Sequence, residues 1–173
     1  MRYKSRTFML FVTGLLFLAA FRAESSDPSP QTVDRNLNRF LEVLYPNLDK
    51  QMTGLQSRNI VTHNESDGLH SDFVYKCTST MTAAQLRTLV LYSAHVLGVA
   101  LVQHIPIVAS AVKIQTPRGE GAVQLPLAQS QAIGAEILKD HPDKSAINDR
   151  IFDFTRAVNF RSIEGLAPGS NLP

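Results

Sequence analysis

Two histidines and three acidic residues lie within the stretch THNESDGLHSD, residues 62–72. Imidazole nitrogens and carboxylate oxygens are ligands that zinc accepts in proteins, and His63, Asp67 and His70 would supply three of them. To do so, the loop would have to fold tightly around the ion. The stretch is therefore a candidate metal site, and together with Glu65 it is a candidate centre for a small hydrolase.

A polar turn between two strands explains the same residues without a ligand. Gly68 suits a backbone with positive φ, and Asn, Asp and Ser side chains form local hydrogen bonds in turns. A calcium loop of the EF-hand type does not fit, because placing Gly68 sixth puts the apolar Val74 twelfth, where a bidentate carboxylate is required. We expect a turn without an ion or other cofactor, and zinc remains the alternative.

The polar stretch joins two segments that predict strands, RNIVTH and SDFVYKC, since both are rich in β-branched and aromatic residues. With a turn centred on Asp67, Val61 would pair with Phe73, and apolar side chains would lie on both faces of the hairpin. Such a ribbon is expected to be central in the sheet, or covered on both sides. Cys77 lies about 20 Å along the second strand from its start, too far to join the candidate ligands, and we expect it to be buried.

Helical periodicity predicts the elements around this hairpin. A one-faced amphipathic helix spans 33–45. The segment 82–105 is apolar nearly all round, which is typical of a helix buried in protein or in lipid, and a threonine is available to cap its start. A second hairpin with the turn PRGEG follows over 106–127, and two helices over 128–139 and 145–163 come last.

The element order α-β-β-α-β-β-α-α predicts a single α+β domain over residues 32–164. Its sheet would be mainly antiparallel, built from the two hairpins, with a buried central helix and flanking helices. Residues 26–31 are predicted to be a linker and 165–173 a flexible tail. His95, one turn after Tyr92 in the central helix, is expected to be a hydrogen-bonded core histidine.

The first residues predict a secretory signal peptide over 1–25. Three basic residues precede an uncharged run over 7–21, and Ala23 and Ser25 satisfy the small-residue rule for cleavage. Removing this segment takes away four basic residues and one acidic residue, so the formal net charge changes from +2 to about −1. No basic tract survives in the mature chain, which argues against nucleic-acid binding. An uncleaved membrane anchor is the alternative, although the run is short for a span of ~20 residues.

Two further features bear on secretion and on membrane association. Asn64 begins an N-glycosylation sequon, NES, which matters only if the source is eukaryotic. The stretch 88–112 is apolar enough to suggest membrane association. His95, Gln103 and Pro106 would each be costly in lipid, however, so this alternative is not favoured.

The motifs of common catalytic sites are absent from the sequence, which has no G-x-S-x-G, H-E-x-x-H or C-x-x-C motif and no phosphate-binding loop. We therefore expect a non-catalytic binding or adaptor module, periplasmic or extracellular, that contacts another envelope or extracellular protein. The alternative is a small exported metal-binding protein or hydrolase that uses His63, Asp67 and His70. Nothing in the sequence indicates an oligomeric state.

Overall fold

The computed structural model describes residues 28–169, so the predicted signal peptide lies outside the described residues. Within them the chain forms an α+β domain whose element order follows the predicted one, with one short helix added after the first and the last predicted helix divided into two. The elements are, in chain order, α1 (Pro30–Leu44), α2 (Leu48–Gln51), β1 (Leu55–Glu65), β2 (Gly68–Cys77), α3 (Ala83–Val102), β3 (Ile107–Thr116), β4 (Gly119–Gln124), α4 (Leu127–Ile137), α5 (Lys144–Ala157) and α6 (Arg161–Glu164).

One mixed sheet contains the four strands in the order β1-β2-β3-β4. β1 and β2 form an antiparallel hairpin, as do β3 and β4, whereas the inner strands β2 and β3 run parallel. Parallel neighbours cannot be joined by a tight turn, so the chain crosses over through α3. The sheet is therefore mainly antiparallel, as the two predicted hairpins require, with one parallel pair at its centre.

Helix α3 lies at the core of the domain. A capping box defines its start, because the Thr82 side chain accepts a hydrogen bond from the Gln85 amide and the Gln85 side chain accepts one from the Thr82 amide. By length and composition α3 could cross a membrane, but 61% of its apolar stretch is buried inside the domain. The stretch 88–112 is divided between α3 and β3. Helix α3 is thus the predicted buried central helix.

Helices α3 and α4 come into close contact where two glycines meet. A Cβ atom on Gly98 would lie 2.0 Å from the Ser130 carbonyl oxygen, and one on Gly134 would lie 2.3 Å from the Gly98 carbonyl oxygen. Any side chain at either position would therefore collide with the backbone of the other helix. The close approach of these two helices depends on both glycines.

Helices α1 and α6 flank α3 on two sides. α1 packs against α3 and β1, while α6 packs against α3 and β4. Arg58 of β1 forms ion pairs with Glu42 of α1 and Asp49 of α2. Ser162 of α6 donates a 2.6 Å hydrogen bond to the carbonyl oxygen of Ala122. Strand β4, at one edge of the sheet, therefore has a hydrogen-bonding partner outside the sheet.

The register of the first hairpin differs from the predicted one. Val61 pairs with Asp72, not with Phe73, because a two-residue turn closes the hairpin in place of a turn centred on one residue. Phe73 pairs instead with Ile60 on the buried face, while Val61 and Val74 lie on the other face. Strand β2 is central in the sheet, as one of the two predicted alternatives requires, but the ribbon is not covered on both sides, since Val61 is 41% exposed.

A bulge changes the start of β3. Simple alternation would put Val108 on the same face as Val112, but the pairing shifts between Leu69 and His70, and Val108 is left 42% exposed. The extra residue of a bulge is left unpaired, so its side chain does not follow the alternation between the two faces of the sheet. The sequence pattern alone does not reveal such a residue.

The helix predicted over 145–163 is divided into α5 and α6. The two are separated at Val158, whose backbone is extended with φ −100° and ψ 133°. The Asn159 side chain then accepts a hydrogen bond from the Arg161 amide at the start of the next helix. Local side-chain bonding of this kind competes with helix continuation.

The folded part is longer than predicted at both ends. At the start, the Ser29 side chain caps α1, which begins at Pro30 inside the predicted linker. At the end, Leu166 and Ala167 are buried, and Arg118 Nη1 donates a 2.6 Å hydrogen bond to the Ala167 carbonyl oxygen. The domain therefore continues past the predicted boundary at residue 164.

Candidate functional site

The sheet has one covered face and one open face. Residues along β2 alternate between buried and more exposed positions, and the strand pairing extends this alternation across the sheet. The helices pack on the covered face. In the part of the chain that the structure describes, no helix packs on the opposite face, which we call the open face. It consists of Asn59, Val61, His63, His70, Asp72, Val74, Lys76, Ala109, Ala111, Lys113, Gln115, Ala122 and Gln124.

The candidate histidines lie on the open face, at the end of the sheet nearest the first turn. His63 and His70 are directly paired in the hairpin, and their ring centroids are 5.7 Å apart. Each ring faces a carboxylate: His63 Nε2 lies 3.3 Å from Glu65 Oε1, and His70 Nε2 lies 2.7 Å from Asp67 Oδ1. The hydrogen bond from His70 lowers the pKa of the Asp67 carboxyl. The structure thus brings together all the residues of the candidate site.

The segment between the histidines is a tight hairpin turn. Gly68 has a φ of +139°, in the positive region that glycine permits, as predicted. The turn does not wrap around a central point, as the alternative of a zinc loop would require. Among residues 28–169, no three side chains of His, Cys, Asp or Glu are grouped closely enough to hold a metal ion. The candidate site is therefore a histidine pair with one carboxylate beside each ring.

A shallow cleft of about 220 Å³ continues from the histidine pair across the open face. Lys113 Nζ donates a 2.5 Å hydrogen bond to Asp72 Oδ2 within it, so these two charges neutralise each other. The Asp72 side chain is only 13% exposed, whereas that of Lys113 is 52% exposed. The cleft is lined by His63, His70, Asp72, Ala109, Ser110, Ala111, Lys113, Ala122 and Gln124.

Several residues of this cleft were not among the candidates from the sequence. Alternation in β3 puts Lys113 and Gln115 on the face opposite the buried Val112. Asp72 lies beside Lys113 because β2 and β3 are paired in parallel, and neither hairpin turn reveals that pairing.

Buried hydroxyl and thiol groups lie on the other side of the sheet. The hydroxyls of Thr62 and Ser71 are hydrogen-bonded at 2.8 Å, and Ser110 Oγ donates a 2.5 Å bond to the Ser71 carbonyl oxygen. Cys77 is buried as predicted, and burial raises the pKa of its thiol to about 11, which disfavours the thiolate. The sheet separates the Thr62 and Ser71 hydroxyls and the Cys77 thiol from the histidine pair, whereas Ser110 also lines the cleft.

A second polar cluster lies between α1 and α3. Tyr45 donates a hydrogen bond to His95 Nδ1, and its ring stacks on Tyr92 with centroids 3.7 Å apart. Burial lowers the pKa of His95 to about 4 and raises that of Tyr45, so both groups are neutral near pH 7. His95 is therefore the hydrogen-bonded core histidine that the sequence predicted, although its partner Tyr45 was not foreseen.

An open groove of about 580 Å³ runs between α4 and α5. Beside it, Phe152 is 60% exposed, with the Arg156 guanidinium 5.6 Å from its ring centroid. Arg156 and Arg150 give the groove a basic character, which Asp153 partly offsets. The groove is lined by Ala128, Gln129, Ala132, Arg150, Asp153, Arg156 and Ala157.

The chain matches no protein-family model, no curated protein and no solved structure. The function of the chain is therefore inferred from its own geometry.

Proposed function

We propose that the protein is an exported, non-catalytic binding module that holds another envelope or extracellular protein against its open face. One observation carries the proposal: helices cover one face of the sheet, while no described element covers the other. Val61 on that face is 41% exposed.

The composition of the open face suits a protein interface. Aliphatic and small side chains lie on all four strands of this face, interspersed with polar and charged ones, and protein interfaces combine both kinds. The central ion pair between Asp72 and Lys113 carries no net charge, so covering it would not bury an unpaired charge. The aliphatic and small residues are Val61, Val74, Ala109, Ala111 and Ala122.

The edge of the sheet beside the open face supports the same proposal. At one edge of the sheet, Ser162 hydrogen-bonds to the backbone of β4. At the opposite edge, β1 is paired on one side with β2, and within residues 28–169 no strand is paired with its other side. An unpaired strand edge offers backbone N–H and C=O groups that can pair with a strand of another chain. A partner could therefore contact the open face and extend the sheet at β1.

The groups with nucleophilic atoms favour a binding role over catalysis. The thiol of Cys77 is held in its protonated form by burial, and His95 is buried beside Tyr45. A nucleophilic mechanism needs a base within hydrogen-bonding reach of the nucleophile. The exposed histidines lie across the sheet from the Thr62 and Ser71 hydroxyls, and the Ser110 hydroxyl is hydrogen-bonded to the Ser71 carbonyl oxygen, so the histidines are not placed to act on them.

The binding proposal is tested with two exposed valines. Val61 is 41% exposed on the open face, and Val43 is 47% exposed on α1. Val61→Arg should weaken capture of the native partner by at least about tenfold, which corresponds to ~1.4 kcal/mol, while Val43→Arg should leave capture unchanged. Equal capture by both variants would show that the partner binds elsewhere.

The export part of the proposal has a separate test. The basic residues, apolar run and small residues at the start of the sequence support removal of residues 1–25. N-terminal sequencing of the exported protein should therefore begin at Ser26. An exported protein that still begins at Met1 would contradict cleavage.

A further inference from the structure

His63 and His70 form a side-by-side pair that the strand ladder itself maintains. They are direct partners in the antiparallel hairpin, and such partners have Cβ atoms about 4.5–5.5 Å apart. Their side chains are 41% and 25% exposed, and their ring centroids are 5.7 Å apart. Both rings can therefore turn about their side-chain bonds and face the same point in solvent without any change in the backbone.

Carboxylate oxygens already lie beside the imidazole nitrogens. The Nε2 atom of His63 is 3.3 Å from Glu65, and that of His70 is 2.7 Å from Asp67. In a tetrahedral site with metal–ligand bonds of ~2.0–2.1 Å, neighbouring ligand atoms are separated by about 3.3 Å. The His63–Glu65 distance matches that separation, whereas the shorter His70–Asp67 distance is a hydrogen bond that would lengthen on metal binding. Each imidazole therefore has one carboxylate oxygen beside it.

We propose that the His63–His70 pair binds a divalent first-row transition-metal ion such as zinc or copper(II). The two imidazoles are the constant ligands, Asp67 or Glu65 supplies one oxygen, and water completes the coordination. This site differs from a loop wrapped around the ion, because its main ligands come from two paired strands. In the described part of the chain, no three acidic, histidine or cysteine side chains are grouped to hold an ion, so binding requires the two rings to turn toward a shared point.

The proposed ion has a structural consequence for the open face. It would link β1 to β2 beside the turn and add positive charge at one end of the cleft, near Asp72. An ion that binds the folded state and not the unfolded state stabilises the fold. The site also goes beyond the proposed protein-binding function, because it requires no partner protein.

The experiment uses the mature protein after removal of metal with a chelator. Titration with Cu²⁺ alone and with Zn²⁺ alone, followed by calorimetry, should show one ion per chain, with Cu²⁺ bound more tightly, as the general order of metal affinities predicts. His63→Ala and His70→Ala should each weaken binding at least about tenfold, since even the loss of an outer partner of a ligand costs 10–100-fold. His141→Ala, at an exposed histidine outside the sheet, is the matched control and should bind as wild type does.

Spectroscopy provides a second measurement that stability changes do not affect. Electron paramagnetic resonance of the Cu²⁺ form should show two nitrogen ligands in the wild type and one in either single variant. Absence of binding by the wild type, or equal affinity in His63→Ala, His70→Ala and His141→Ala, would overturn the proposal. These results are independent of partner capture through Val61, so failure of one proposal is distinguishable from failure of the other.

Discussion

The two faces of the sheet use neighbouring residues of the same strands for different purposes. On the covered face, Ile60, Phe73 and Val112 lie in one row and are at most 4% exposed. The adjacent row on the open face contains Val61 and Asp72, which are accessible to solvent or lie in a cleft. Alternation along a strand thus separates residues that stabilise the fold from residues that are free to recognise a ligand.

The energetic difference between the faces is large. Burial of a large apolar side chain contributes about 1.5–3 kcal/mol, so the covered face and the helices on it supply most of the stability. Changes at exposed positions usually alter stability by no more than about 0.5 kcal/mol. Substitutions of buried residues should therefore lower the free energy of unfolding far more than substitutions on the open face.

The largest effect is expected for Leu97→Asp in α3. Leu97 is fully buried, and the substitution would place an unpaired carboxylate in the core. We expect a loss of about 4 kcal/mol or more in the free energy of unfolding, a large part of the stability of a typical domain. Asn59→Asp on the open face is the control and should change stability by about 0.5 kcal/mol or less. Chemical denaturation measures both, and a stable Leu97→Asp protein would show that α3 is not in the core.

A smaller effect should appear as acid sensitivity from His95. Its pKa is lowered to about 4 in the folded state, so between the usual pKa of 6.5 and about 4 the unfolded chain binds more protons. Stability should therefore fall by about 3 kcal/mol as the pH is lowered through this range. His95→Gln should show a flatter profile of the unfolding free energy over the same interval. Parallel profiles in wild type and variant would mean that His95 is not buried in its neutral form.

The contact between α3 and α4 leads to a third prediction. In Gly98→Ala the new Cβ atom would lie 2.0 Å from the Ser130 carbonyl oxygen, so the helices must separate. We expect a loss of about 1–3 kcal/mol, as for other overpacked sites. Gly165→Ala is the matched control, because its nearest neighbour would be 3.6 Å away and its backbone is already helical. Equal thermal stability of the two variants would contradict the close helix contact.

The smallest effect concerns the histidine pair in the absence of metal. Replacing His63 and His70 together with alanine removes exposed side chains, so the metal-free protein should change in stability by about 0.5 kcal/mol or less. Adding Zn²⁺ should raise the melting temperature of the wild type and leave that of the double variant unchanged. A large loss of stability in the metal-free double variant would place these residues in the core instead of on the open face.

Strong periodicity made the main elements predictable. The apolar segment 82–105 became α3 because such a helix can only be buried, and Thr82 with Gln85 provides its cap. Two hairpins also followed from alternation and turn residues. The parallel pairing of β2 with β3 was not predictable in the same way, because it depends on how the crossover through α3 packs on the sheet.

The candidate site was only partly predictable. The composition of the turn identified His63, Asp67 and His70, and the structure places all of them at one end of the open face. The neighbouring cleft was missed because it depends on exact strand register, which a turn of one or two residues changes completely. Tyr45 was missed since its partner His95 is distant in sequence and is reached only through the packing of α1 on α3.

Site-specific photo-crosslinking in the native compartment tests the central claim most directly. A photoreactive residue is introduced at Val61 on the open face, at Val43 on α1 and at Phe152 beside the groove, positions that are 41%, 47% and 60% exposed. If the open face binds a partner, Val61 should form an adduct with one defined protein, and the other two positions should not. An adduct from Val43 or Phe152 in the absence of one from Val61 would contradict the assignment of the open face as the binding surface.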